Sequence, residues 1–156
     1  MEKEFLALIH DYQNIIYKIC RLYRDNKEDQ EDLFQEIVYQ LWKSYPGFKG
    51  ESKVSSWMYR IALNTAIAVY RKTKISVDYY KEFPEHIHPS NEKTISENED
   101  RLFWALRKLN DSEKAVISLY LEDFNYRDIA AITGLSESNV GVRLNRIKNK
   151  LKEILK

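Results

Sequence analysis

Four side chains that could hold a nucleic-acid strand recur at helical spacing between residues 57 and 71. Trp57, Arg60, Asn64 and Arg71 share one stripe at roughly 100° per residue, with Ala68 between the last two. An indole ring can stack on an unpaired base, an amide can bond to a base edge, and guanidinium groups attract phosphates. The stripe favours binding of an unstacked strand, although a core tryptophan beside solvated arginines fits the same residues.

Charge is sorted along the chain, although the sequence as a whole is nearly neutral. The 156 residues include 25 Lys or Arg and 24 Asp or Glu. Residues 41–75 carry seven basic side chains against one acidic one, whereas residues 1–40 carry five basic and nine acidic ones. Residues 137–156 are again basic, with six against two. Basic segments separated by acidic ones favour two nucleic-acid contacts with other surfaces between them.

A helix-turn-helix pattern lies near the C-terminus. A short apolar segment ends at Thr133, Gly134 can adopt the positive φ of a tight turn, and Ser136 can cap a longer helix. The buried seam of that helix is predicted at Val140, Leu144, Ile147 and Leu151. Its outer face then carries Asn139, Val142, Arg143, Arg146 and Asn149. Two such helices also occur in bundles that bind no DNA, but this outer face is basic and favours the major groove, where Arg bonds to guanine edges and Asn to adenine edges.

Helices must position both of these sites, and we predict an all-α fold of two small helical domains joined by a linker. Only four Gly and three Pro are present, which leaves little turn chemistry. Apolar spacing predicts helices over residues 1–24, 29–43 and 57–71, the last with Ser56 as its N-cap. The second of these is acidic and is expected to expose Asp32, Gln35, Glu36 and Gln40. Helical spacing resumes near Asn98, and NDSE at residues 110–113 predicts the start of a further helix.

The segment from about residue 74 to 96 lacks an apolar face and contains two prolines, as linkers do. His86 and His88 lie there without a companion cluster of Cys or carboxylates, so neither a metal site nor a cofactor is expected. Cys20 is the only cysteine, which excludes a disulfide framework. The sequence has no signal-peptide pattern and no apolar run that could cross a bilayer, so we expect a cytoplasmic protein without membrane insertion.

Three segments, taken in this order and spacing, resemble the bacterial RNA polymerase sigma factors of the compact extracytoplasmic-function (ECF) group. They are EDLFQEIVYQLWKSYPGF, SSWMYRIALNTAIAVYRK and DIAAITGLSESNVGVRLNRIKNKL. The resemblance covers nearly the whole chain apart from the linker. It implies sigma region 2 over residues 1–74, a linker over 75–95 and sigma region 4 over 96–156.

The resemblance implies a promoter-specificity subunit that binds core RNA polymerase, at the clamp of the largest subunit and at the flap, and that is not an enzyme. Promoter DNA and an anti-sigma factor are its further expected partners. The clamp contact would use Asp32, Gln35 and Glu36. The melted minus-ten element would be held by Phe48, Lys49, Ser52, Lys53, Trp57, Arg60, Asn64 and Arg71. The minus-thirty-five duplex would be read by Asn139, Val142, Arg143, Asn145, Arg146 and Lys148.

The recognition helix departs from the usual family pattern. Asn139, Gly141 and Val142 stand where relatives often have Thr, then Lys or Arg, then Ser, so the promoter sequence is not predicted. Gly141 lowers helix propensity by roughly 1 kcal/mol relative to Ala and is expected to loosen the helix until DNA binds.

Two other classes of protein fit parts of the sequence. A conventional helix-turn-helix regulator would bind duplex DNA without polymerase, normally as a dimer, and would leave the acidic helix and the Trp57 stripe without a role. An enzyme acting on nucleic acid is disfavoured, because no Gly-rich phosphate loop, zinc cluster or His with convergent carboxylates occurs at a recognisable spacing.

Overall fold

The structure is a computed structural model that describes residues 2–48, 50, 53–71 and 97–156. At residues 69–71 it describes the backbone and not the side chains. Within these residues the chain forms seven α-helices and one short 3₁₀ helix and has no strand, which confirms the predicted all-α fold. The described residues divide into two compact units, 2–71 and 97–156.

The first unit is a bundle of three helices in which each helix packs against the other two. The helices are α1 (Glu2–Tyr23), α2 (Lys27–Ser44) and α3 (Val54–Arg71). Asn26 caps α2, since its side-chain oxygen accepts a hydrogen bond from the Asp29 amide at 2.8 Å. The fully buried side chains include Phe5, Ile16, Ile19, Leu33, Phe34, Ile37, Leu41, Met58 and Tyr59.

The helix α2 ends before Tyr45, close to its predicted end, but α3 begins at Val54, three residues earlier than predicted. Tyr45–Gly47 forms the 3₁₀ helix with Pro46 in its first turn. The Trp57 amide donates to the Lys53 carbonyl at 3.1 Å, so the first turn of α3 is closed by a backbone hydrogen bond. Ser56 therefore lies inside the helix, and its prediction as the N-cap was wrong.

The second unit contains α4 (Glu97–Leu106), α5 (Asp111–Leu121), α6 (Tyr126–Thr133) and α7 (Glu137–Ile154). Asn110 and Glu113 form the capping box of α5, with both reciprocal hydrogen bonds present. Gly134 adopts φ 83° after α6, and Ser136 caps α7. The helix-turn-helix is thus present as predicted, with Val140, Leu144 and Ile147 buried and Leu151 half-buried.

Within the described ranges, no helix has the length and apolar character needed to span a membrane. The same residues contain no group of His, Cys, Asp and Glu that could hold a metal ion. His86 and His88 lie outside them.

Candidate functional site

The exposed carboxylates of α2 lie in the N-terminal half of the helix. Asp32 is exposed, as predicted, and Gln35 is half-buried. Glu28 and Glu31 are also exposed, and they lie one helical turn from Asp32 and Gln35 respectively. These two residues were not predicted as part of the contact, although the sequence shows their spacing from Asp32 and Gln35. We call Glu28, Glu31, Asp32 and Gln35 the acidic face.

Glu36 does not belong to this face, and its predicted exposure was wrong. Only 5 % of its surface is accessible, and its Oε1 accepts a hydrogen bond from Nε2 of Gln40 at 3.0 Å. The cause is that α2 packs against both α1 and α3, so the helix buries a wider arc than one apolar stripe suggests. Tyr39, three residues later, is 7 % accessible for the same reason, and Gln40 is half-buried.

The stripe on α3 faces outward over most of its length. Arg60, Asn64 and Ala68 are exposed, and Trp57 is half-buried. The opposite side is buried at Met58, Ala62, Thr65 and Ala66. Arg71 is the last residue of α3, and its side chain lies outside the described part of the chain.

Trp57 lies between Tyr45 and Phe48 in a series of aromatic contacts. Phe48 stacks on it with a centroid distance of 4.6 Å and an interplanar angle of 25°. The Tyr45 ring is tilted relative to the indole at a centroid distance of 6.4 Å, and it contacts Phe5, which in turn packs against Trp42. One indole face therefore already has an aromatic partner. Lys53 is exposed, whereas Lys49 and Ser52 lie outside the described residues.

Arg24 joins α3 to the other two helices of the bundle. Its Nη2 donates to the Ala66 carbonyl of α3 at 3.2 Å, and its Nη1 donates to the Tyr23 carbonyl at 2.8 Å. Gln30 of α2 donates from Nε2 to the Arg24 carbonyl at 3.1 Å. The bond to Ala66 thus ties α3 to the end of α1, and the bond from Gln30 ties α2 to the same residue.

The outer face of α7 has five exposed residues that were predicted from the sequence, with Arg143 and Lys148 on its flanks. The five are Asn139, Val142, Asn145, Arg146 and Asn149. Arg143 donates from Nη1 to Oγ of Ser112 in α5 at 2.6 Å. Lys148 donates to the Tyr120 hydroxyl at 3.0 Å and lies 4.3 Å from the centre of that ring. The hydrogen bond to Tyr120 raises the pKa of Lys148 above its usual value.

Two further contacts fasten α7 to its unit. Lys150 pairs with Glu113 at 3.0 Å. Burial alone would raise the pKa of Glu113, but the Asn110 amide and the Lys150 ammonium hold it below its usual value. On another side, a Cβ at Gly141 would lie 3.3 Å from the Tyr126 ring. Gly141 thus permits close packing of Tyr126 against the recognition helix, a role that the sequence analysis missed.

The geometry of both units agrees with comparisons to known proteins. Residues 8–75 match the family Sigma-70 region 2, and residues 101–151 match the family Sigma-70, region 4. The ECF RNA polymerase sigma-E factor of Haemophilus influenzae is 30% identical to this chain, over 99% of the chain and 90% of that protein. The chain belongs to the ECF sigma factors. The RNA polymerase sigma factor SigV of Bacillus subtilis is likewise 30% identical to this sigma factor. The match covers 90% of the present chain and 84% of SigV.

Two solved structures share the fold of this sigma factor. One is the sigma factor RpoE in complex with the anti-sigma factor NepR from Bartonella quintana, with a TM-score of 0.67 at 22% identity. The match covers 99% of this chain and 95% of the RpoE chain. CnrH in complex with the cytosolic domain of CnrY has a TM-score of 0.70 at 21% identity, with coverages of 99% and 89%. As a member of this family, the chain is a promoter-specificity factor that binds core RNA polymerase and promoter DNA and directs the initiation of transcription.

Proposed function

We propose that the acidic face of α2 docks on a basic surface of core RNA polymerase, the clamp of its largest subunit. Glu28, Glu31 and Asp32 are exposed carboxylates on one side of a helix, and their charge complements a basic partner. Gln35 lies among them and is the hydrogen-bonding group of the contact. Glu36 acts from inside the bundle, where it orients Gln40 and stabilises α2.

The outward stripe of α3 holds the non-template strand of the melted minus-ten element. Arg60 attracts phosphates, Asn64 bonds to the edge of a captured base, and Trp57 supplies a stacking surface together with Phe48. Stacking in such a site offsets the few kcal/mol that a base loses when it leaves the duplex. Lys49, Ser52, Lys53 and Arg71 complete the proposed strand contact.

The recognition helix α7 binds the minus-thirty-five element as duplex in the major groove. Asn139, Val142, Asn145 and Arg146 are exposed on its outer face and contact base edges. Arg143 and Lys148 are held on the flanks by Ser112 and Tyr120, where the two phosphate backbones of a groove run, and they neutralise phosphates. The region 2 domain spans residues 1–74, the linker 75–95 and the region 4 domain 96–156.

In this proposal the sigma factor has no catalytic site, works in the cytoplasm, and leaves phosphodiester chemistry to the polymerase. Its region 4 domain also contacts the polymerase flap. An anti-sigma factor regulates it by covering the polymerase-binding faces, and the related sigma factor RpoE forms a complex with the anti-sigma factor NepR.

One observation carries the assignment of surfaces. The acidic face of α2 and the exposed Arg60 and Asn64 of α3 belong to the same three-helix bundle, which is separate from the helix-turn-helix. A regulator that only reads duplex DNA has no use for such a bundle.

Size-exclusion chromatography with bacterial core RNA polymerase tests the polymerase contact. The wild-type chain should co-elute with core polymerase, and a variant with Glu31→Lys and Asp32→Lys should not. The matched control reverses two exposed acidic residues of α1, Glu2→Lys and Asp11→Lys, and should still co-elute. If none of the three binds core while the chain alone binds duplex DNA selectively, the conventional regulator is the correct reading.

A further inference from the structure

Val142 is an apolar side chain in the middle of a polar recognition surface. It exposes 48 % of its surface on the outer face of α7. Its neighbours three and four residues away on the helix are Ser138, Asn139, Asn145 and Arg146, and all four are exposed. The outer face therefore presents one branched apolar group surrounded by hydrogen-bonding groups.

Packing within the unit explains the residue before Val142 but not Val142 itself. Both Gly and Val form helices less readily than Ala, and here they are adjacent in the recognition helix. Gly141 has a packing role, because the Tyr126 ring lies 3.3 Å from the position of a Cβ there. Val142 leaves half of its side chain in solvent, and the buried seam of α7 is made by Val140, Leu144 and Ile147.

The charged residues nearest to the outer face are divided between its centre and its flanks. Arg143 is held by Ser112 and Lys148 by Tyr120, both on the body of the unit. Arg146, one turn after Val142, is exposed on the outer face. The groups in position to meet base edges are therefore the amides of Asn139 and Asn145, the guanidinium of Arg146 and the isopropyl group of Val142.

This inference rests on the proposed contact of α7 with duplex DNA. We propose that Val142 selects a thymine in the minus-thirty-five element by packing against the C5-methyl group of that base. That methyl is the apolar group that a base pair presents in the major groove. Guanine, adenine and cytosine would instead place a polar edge against the isopropyl group, without a hydrogen-bonding partner once water is excluded. Attraction to the methyl and the cost of an unpaired polar edge both favour thymine.

Deoxyuridine provides a direct test, because it differs from thymidine only by that methyl group. The full-length chain, alone and bound to bacterial core polymerase, is used to enrich duplexes from a library with a randomised segment. Each thymine of the enriched duplex is then replaced by deoxyuridine, one position and one strand at a time. The wild-type chain should bind about fourfold more weakly when one particular methyl is removed. This factor is the change in dissociation constant expected when one buried methyl group is lost. Val142→Ser should remove this sensitivity at that position alone.

Arg146→Ala is the matched control on the same helix face. It should weaken binding to the thymine and deoxyuridine duplexes by the same factor. If Arg146→Ala weakens binding but no deoxyuridine position distinguishes wild type from Val142→Ser, the thymine contact is wrong and the role of α7 in DNA binding stands. If neither variant changes duplex binding, the proposed function of α7 fails as well. An enriched sequence without thymine, or a wild-type chain insensitive to every replacement, also overturns the inference.

Discussion

Arg143 in α7 donates a hydrogen bond from Nη1 to Oγ of Ser112 in α5, with an N–O distance of 2.6 Å. The bond ties the recognition helix to the first turn of α5 and keeps the guanidinium beside the outer face of α7. Lys148 is tied on the other side to Tyr120. Arg143 and Lys148 are thus held by the fold on the two flanks of the outer face, whereas Arg146 is exposed at its centre.

This division predicts different consequences for the two arginines. Arg143→Ala should weaken binding to all duplexes alike and reduce the salt dependence by about one phosphate contact. Arg146→Ala should instead change which base pair is preferred at one position. The loss should be about 1–3 kcal/mol of discrimination between the preferred base pair and the others at that position. Titrations of two duplexes at several salt concentrations measure both effects. A change in base preference caused by Arg143→Ala would contradict the assignment.

Charge reversal at Glu36 and at Asp32 is predicted to have different effects on the free energy of unfolding. Glu36→Lys puts an ammonium into the interior of the bundle and should lower the free energy of unfolding by about 3 kcal/mol or more. Asp32→Lys changes an exposed residue and should leave thermal stability within about 0.5 kcal/mol of wild type. Thermal melting followed by circular dichroism compares the two variants. Equal melting temperatures for both would show that Glu36 is not buried in solution.

Trp57 is predicted to bind a single strand by stacking. Trp57→Ala should weaken binding of a single-stranded DNA by fivefold or more, since one stacked base contributes about 1–3 kcal/mol. The chain contains a matched control, because Trp104 of α4 is 50 % exposed and lies in the other unit. Trp104→Ala should leave strand affinity unchanged in the same fluorescence anisotropy assay. Similar losses for both variants would exclude a specific role for Trp57.

Gly141 and Tyr126 are predicted to be energetically coupled. In a Tyr126→Ala background, Gly141→Ala should stabilise the second unit by about 1 kcal/mol, the usual gain in helix propensity. In the wild-type background the gain should be smaller, because the new Cβ must displace a ring at 3.3 Å. A double-mutant cycle on the free energy of unfolding measures the difference. Equal gains in both backgrounds would mean that the ring does not restrict this position.

The Glu113 carboxylate predicts an acid-sensitive second unit. Its pKa lies below the ordinary 4.5 because the Asn110 amide and Lys150 outweigh the effect of burial. The stability that follows is fully present above pH 4.5 and is lost as the pH falls through the folded-state pKa. Glu113→Gln should therefore reduce the difference in unfolding free energy between about pH 7 and about pH 3. The control is Glu153→Gln, at an exposed pair with Lys156, and it should behave as wild type. An undiminished difference in Glu113→Gln would contradict the prediction.

Local signals in the sequence were sufficient to predict that the helices and the helix-turn-helix exist, but not where α3 begins. The capping residues Asn110 and Ser136 and the turn residue Gly134 each act within a few positions along the chain, so their roles could be predicted. Glu36 could not be placed correctly, because its burial depends on α2 packing against two helices at once. The bond of Arg143 to Ser112 and the packing of Tyr126 against Gly141 were not predicted for the same reason, because tertiary packing alone brings these partners together.

The central claim is that this chain gives core RNA polymerase its choice of promoter. The most direct measurement is to transcribe a pool of templates with randomised upstream DNA, using core polymerase with and without the full-length chain, and to sequence the 5′ ends of the RNA. We predict that the chain concentrates initiation downstream of one recurring pair of sequence elements, and that the variant with Glu31→Lys and Asp32→Lys does not. The same distribution of start sites with and without the chain would contradict the account.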